Sequence, residues 1–170
     1  MKKNMKTMLR CSALIAVCLA ALSQNACAVP TITMSGGDWT IPTIDSTDLQ
    51  AGAGSDLVAT YENTAGAILI NSASPSGGTP PNTYRIDVKK VDTTWDATFE
   101  LSVKRTGDGS GAGSVSGGTT YQQITDTDAQ FFTGDLDRII IPLQFQLAAV
   151  SVSISPDSYS TTVTFTIIDI

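Results

Sequence analysis

The side chains of this chain that are equipped for chemistry are carboxylates, hydroxyls and a few aromatic rings. Asp126 and Asp128 precede the pair Phe131-Phe132, and Asp135 and Asp137 follow it. Carboxylates on both sides of so short a segment, with carbonyls of glycine-containing turns nearby, are the donor set of an oxygen-only metal site. Calcium is the ion that takes six to eight such oxygens. The Asp-x-Asp-x-Asp-Gly loop closed by Glu is absent, so the competing reading is a set of solvated turn carboxylates. The Phe131-Phe132 pair raises a different chemistry. Neighbouring residues on a strand face opposite sides, so a one-sided core takes one ring and turns the other toward solvent, a loop or a partner. With Tyr121 near in sequence, an exposed ring there would stack on sugars. The alternative is a segment covered on both faces at the edge of a sandwich.

Hydrolysis by a carboxylate pair is tested by spacing. Glu62 and Glu100 are the only glutamates. Asp96 and Glu100 share one face of a predicted strand, about 13 Å apart at roughly 3.3 Å per residue, which exceeds the roughly 5 to 9.5 Å between glycosidase acid and base. No Ser sits in a Gly-x-Ser-x-Gly elbow followed by a helix. Gly109-Ser110-Gly111 belongs instead to the glycine-rich run from Gly107 to Gly118, which lacks the Lys-Ser/Thr of a phosphate loop and joins two strands. That run is expected to be a long flexible loop, and any role it has is that of a recognition surface.

The wider composition narrows the chemistry further. The chain has 170 residues, Lys+Arg 10, Asp+Glu 16, no His and 3 Cys. Lys2, Lys3, Lys6 and Arg10 precede a short apolar run, Ala13 to Leu22, and the small-residue triplet Ala26-Cys27-Ala28 follows it. This is the pattern of a secretory signal peptide over residues 1–28. The run is well short of the roughly 20 residues that cross a bilayer, and no transmembrane segment is expected elsewhere. Cleavage after Ala28 leaves 142 residues, removes all three cysteines, and by removing four basic residues takes the formal charge from −6 to −10. A domain without Cys or His has no thiol nucleophile, imidazole base, disulfide or nitrogen- and sulfur-ligated metal. A −10 domain has no general attraction to nucleic acid.

Residues 29–170 are expected to form one domain. Glycine and proline clusters punctuate them at Gly36-Gly37, Gly52 and Gly54, Pro75 to Pro81, Gly107 to Gly118, Gly134 and Ser155-Pro156-Asp157. The runs between are rich in Val, Ile, Thr and aromatics and alternate with period two. Trp95, Ala97, Phe99, Leu101 and Val103 share one face of a strand over 95–104, and Tyr84, Ile86 and Val88 one face of a strand over 83–91. The two are expected to pair as a hairpin through Asp92-Thr93-Thr94. A second hairpin is expected to pair Val150, Val152 and Ile154 with Val163, Phe165 and Ile167. Further strands are predicted near 31–34, 39–45, 55–61, 66–71, 119–124, 129–132 and 138–146, with Trp39 and Trp95 in the core. No segment carries a capped helical period. The fold class is all-β, an antiparallel sandwich of immunoglobulin-like kind.

The closing run Ser155-Pro156-Asp157-Ser158-Tyr159-Ser160-Thr161-Thr162-Val163-Thr164-Phe165-Thr166-Ile167, together with Ile141-Pro142-Leu143, resembles the end of bacterial chaperone-usher pilins of the spore-coat-U type. Those commonly finish on Gly-x-Tyr-x-x-x-Val-x-Val-x-Val. Here Ser158 replaces the glycine, and the cysteine pair frequent in that family is missing. The resemblance implies a fold lacking one strand, completed by an N-terminal extension of a neighbouring subunit. Val29 to Met34 alternates only briefly before Gly36-Gly37 breaks the phase, so it makes a short donor. The leading expectation is an exported, non-enzymatic structural subunit of bacterial cell surface or matrix, partnered by copies of itself or other surface subunits through strand edges. The alternative is a carbohydrate or surface-ligand module using Tyr121, Phe131, Phe132 and the long loops.

Overall fold

The computed structural model describes residues 29–74 and 82–170. The expected signal peptide and the punctuation at Pro75 to Pro81 lie outside the described residues. The strands in chain order are β1 (Thr31–Ser35), β2 (Tyr61–Glu62), β3 (Ile68–Ala73), β4 (Thr83–Thr94), β5 (Glu100–Arg105), β6 (Ser110–Gly111), β7 (Val115–Ser116), β8 (Gln122–Gln123), β9 (Ala129–Asp135), β10 (Arg138–Ala148) and β11 (Ser160–Asp169). A short 3-10 turn, Ser46–Asp48, is capped by Asp45. Two antiparallel sheets pack against each other as a β-sandwich. The larger runs β1-β3-β10-β5-β8, with β2 and β6 also paired to β10, and the smaller runs β11-β4-β9-β7.

The expected alternation places the core. Ile141, Leu143 and Phe145 of β10 and Leu101 and Val103 of β5 turn inward from one sheet, meeting Tyr84, Ile86 and Val88 of β4 and Phe165 of β11 from the other. Most of their intervening neighbours are more exposed, as a sheet with one wet face requires, while Asp87 is buried and paired with Arg85. Trp39 and Trp95, expected in the core, are partly buried and pack against its margin.

Both expected hairpins are replaced by longer-range pairings. β4 and β5 belong to opposite sheets: β4 pairs with β11 and β9, while β5 pairs with β10 and β8. Residues 95–99 are not a strand but the crossover between sheets, with Asp96 accepting from the Thr98 amide at 2.9 Å. Residues 150–159 likewise form turns, not a strand, and β11 pairs with β4 along its whole length. Period-two alternation states which face of a strand is apolar and is silent about its neighbour, because a sandwich offers two sheets to every apolar face.

Phe131 and Phe132 are both buried, at 3% and 0% exposure. The β4–β9 register explains how consecutive residues point the same way. Ile86 pairs with Phe132 and Asp87 with Gln130, so Phe131 is the extra residue of a β-bulge. The two rings meet edge to face at 5.2 Å, and Phe131 also approaches Phe165 at 6.0 Å. Truncating either ring leaves a cavity in the centre of the sandwich. Phe132→Ala is expected to cost about 3 to 5 kcal/mol of stability, read as a lowered urea midpoint; a change under about 1 kcal/mol would contradict this placement.

Candidate interaction site

The four aspartates of the expected calcium site are held apart by β9. Asp126 and Asp128 precede the strand, whereas Asp135 ends it and Asp137 lies beyond, so that Asp128 and Asp135 are about 23 Å apart over seven residues at roughly 3.3 Å each. Each end has its own partners. Asp128 binds Lys89 Nζ at 2.7 Å, Asp135 accepts the Ser114 amide, and Asp137 accepts the Ser74 amide at 2.8 Å. Among the described residues no cluster of acidic side chains is arranged to hold a metal ion, so these four do not make one calcium shell.

The expected sugar platform is also dispersed. Phe131 and Phe132 lie inside, and Tyr121 stands on the larger sheet with Lys104 Nζ 4.2 Å from its ring centroid. The ammonium occupies the face on which a sugar would stack. The Tyr121 hydroxyl is buried, and this burial, together with the Glu62 carboxylate beside it, pushes its pKa up to about 12. Glu62 is in turn held by Gln144 Nε2 at 3.1 Å and Gln146 Nε2 at 2.8 Å.

The glycine-rich run is a fixed wrapping, not a loose tip. Buried Arg105 reaches it from inside, donating to the carbonyls of Gly117 and Gly107 at 2.9 Å each and to Asp108 at 2.6 Å. Arg138 reaches it from outside, donating to the carbonyls of Asp108, Gly111 and Gly113. A Cβ on Gly109 would run into the Ile139 carbonyl, and one on Gly113 into the Asp135 carbonyl. The glycines therefore serve a close approach of two backbones, and flexibility is the opposite of what they provide.

What the fold does bring together is an open apolar cleft of about 1,320 Å³ between the sheets. Its floor includes Ile68, Phe145, Leu147 and Phe165. One wall is the extended segment 37–44, whose Trp39 ring lies 6.4 Å from Phe145 and which makes no backbone hydrogen bond among the described residues. In its lining Trp95, Phe99 and Tyr159 form an edge-to-face chain with centroids 5.3 and 5.0 Å apart, and the Trp95 indole N–H is buried without a partner among the described residues. The other wall is β11.

β11 is the outermost strand of its sheet and runs ten residues. Its hydrogen-bond phase follows from two contacts. Ile170 N–H donates to the Thr83 carbonyl, so the even-numbered residues of β11 turn their backbone groups toward β4. Lys90, which is paired with Val163, sends its N–H the other way, to the Thr125 carbonyl, in agreement. Thr161, Val163, Phe165, Ile167 and Asp169 therefore present their N–H and C=O groups on the free edge. Among the described residues nothing pairs with them. The same odd residues include the inward apolar side chains Val163, Phe165 and Ile167. Alternation alone marked the faces of this strand. That it lies outermost, with one row of ladder groups open, depends on the pairing to β4.

No family model, curated protein or solved structure matches this chain.

Acid is expected to loosen the glycine-rich wrapping. Hydrogen bonding and the charge of Arg105 hold the Asp108 carboxyl below its ordinary 3.8, and hydrogen bonding from Ser114 does the same for Asp135. A depressed folded-state pKa adds stability above the ordinary value and loses it as pH falls through the folded value. The urea midpoint should fall between about pH 5 and pH 2, and an Asp108→Asn, Asp135→Asn variant should show a flatter dependence. An unchanged slope in that variant would assign the acid sensitivity elsewhere.

Proposed function

We propose that this protein is an exported, non-enzymatic structural subunit of the bacterial cell surface or extracellular matrix, and that it assembles through strand edges. The observation that carries the reading is the open edge of β11 beside the apolar cleft. Natural sheets shield long edges with lysine, proline, bulges or a covering segment. Thr161 to Ile168 contains no proline, no glycine and no charge, the composition of a segment that readily adds a further strand. Its odd residues combine an unused ladder with apolar side chains, which is what an incoming extended chain would need.

Other features support the same reading. The amino-terminal pattern is that of an export signal, and the chain after residue 28 has no Cys or His with which to build the commoner catalytic centres. The likeness of the closing strand to those of spore-coat-U type pilins fits a subunit whose last strand is left exposed. The glycan reading has lost support, since two of its three rings lie in the core.

Size-exclusion chromatography and electron microscopy of the protein recovered from its producing cells should reveal self-associated or polymeric species. A strictly monomeric protein at high concentration, with native membranes present, would overturn the reading.

A further inference from the structure

We propose that the partner of the β11 edge is the β11 edge of a second copy of this chain, paired antiparallel about a two-fold axis at Phe165. The proposal rests on the assembly reading above and adds the identity of the partner and the register.

The ladder phase selects the pairing. An antiparallel pair closes its hydrogen bonds only between residues whose backbone groups face each other, and on this edge those are Thr161, Val163, Phe165, Ile167 and Asp169. A two-fold at Phe165 sets Phe165 against its own copy, Val163 against the partner's Ile167, and Thr161 against the partner's Asp169. Every open position of the strand is then used, for about ten backbone hydrogen bonds. An axis displaced along the strand leaves some of them unpaired.

Side chains agree with this register. Val163, Phe165 and Ile167 point inward and pack on the core, so joining two edges gives one sheet of eight strands with a continuous apolar underside. On the outer face, where Thr162, Thr164 and Thr166 are exposed, Thr164 comes opposite the partner's Thr166, a favourable cross-strand pair. Asp169, the one charge of the strand, sits at the far end from its own copy. An edge that meets itself is isologous and closes as a dimer, which leaves the remaining surface available for further assembly.

The ladder also discriminates between occupants. An acyl chain or another flexible apolar molecule would cover the cleft floor and leave the row of N–H and C=O groups along its lip without partners. A polypeptide edge satisfies both, and the chain's own edge matches in phase, length and lack of charge.

Residue-resolved hydrogen exchange across a concentration series is the test. The amides of Thr162, Thr164, Thr166 and Ile168 should be protected at every concentration, because β4 holds them. Those of Val163, Phe165 and Ile167 should exchange rapidly in dilute solution and slow by at least about 100-fold as the dimer forms. A Thr164→Lys, Thr166→Lys variant places ammonium opposite ammonium and should weaken the dimer by about tenfold or more, whereas Thr164→Glu, Thr166→Lys restores opposite charges and association. Should the lysine variant fail to fold, the alternating protection of the unaltered protein still decides. Assembly with Val163, Phe165 and Ile167 still exchanging rapidly would overturn this pairing and leave the structural-subunit reading intact. Absence of any assembly would overturn both. Protection that appears only on adding other proteins would give the edge to a different partner and sink the proposal.

Discussion

Strand β10 is the constraint around which the larger sheet is arranged. β2, β3, β5 and β6 all hydrogen-bond to it, and Ile141, Leu143 and Phe145 supply the middle of the core from that side. Serving four partners with one strand requires a change of neighbour along its length. On one side β3 gives way to β2, and the gap is bridged by the Asn63 side chain, whose Oδ1 accepts the Phe145 amide at 2.6 Å in place of a backbone carbonyl. On the other, β6 gives way to β5 after the bulge at Ile139-Ile140. The bulge holds Ile140 at a φ of 51°, an unfavourable backbone for a β-branched residue, and Asn71 Oδ1 accepts its amide at 2.7 Å. Local strain is offset by hydrogen bonds that keep the strand continuous.

The same strand explains the glycine-rich run. β6 must lie directly against the start of β10, and Gly109, Gly111 and Gly113 come so near the carbonyls of Ile139, Asp137 and Asp135 that no side chain fits. Two arginines then neutralise the carbonyl-rich wrapping, Arg105 from the core side and Arg138 from the solvent side. A buried guanidinium is costly unless its donors find partners, and Arg105 uses its Nε and Nη1 donors within this segment while its guanidinium lies 5.5 Å from the Phe132 ring centroid. Core and wrapping are thus one unit.

Much of this was legible in the residues, and what was not has specific causes. The inward series of Tyr84, Ile86 and Val88 and of Leu101 and Val103 follows from alternation, because burial on one face imposes it. The partners of those strands did not follow, since strand pairing is decided by chain crossings such as Trp95 to Phe99 that no local pattern encodes. Phe131-Phe132 misled because a bulge adds one residue and shifts the phase. The aspartates around it looked clustered in sequence, yet an extended strand puts its two ends far apart. Glycine spacing at 109, 111 and 113 did carry the signal of close backbone approach, which is easily taken for looseness when the neighbouring strand is unknown.

The edge of β11 is the counterpart of this economy. Strands β7 and β8, which end the two sheets elsewhere, are two residues each and present little ladder. β1 is five residues and is joined to Gly36, whose backbone comes so close to the Ala67 carbonyl that a Cβ would collide with it. Among the edge strands of the described residues, β11 alone couples length with an uncharged outer row of threonines and an apolar inner row. Segment 37–44 passes along the cleft with Trp39, Ile41 and Ile44 toward it but supplies no ladder, and Pro42 removes one of the donors it would need. The chain thus covers part of its core margin with side chains while leaving the backbone of β11 open. The edge groups are left to water, and a strand laid beside them would cover the cleft margin and satisfy them together. It is on this open row that the proposed assembly rests.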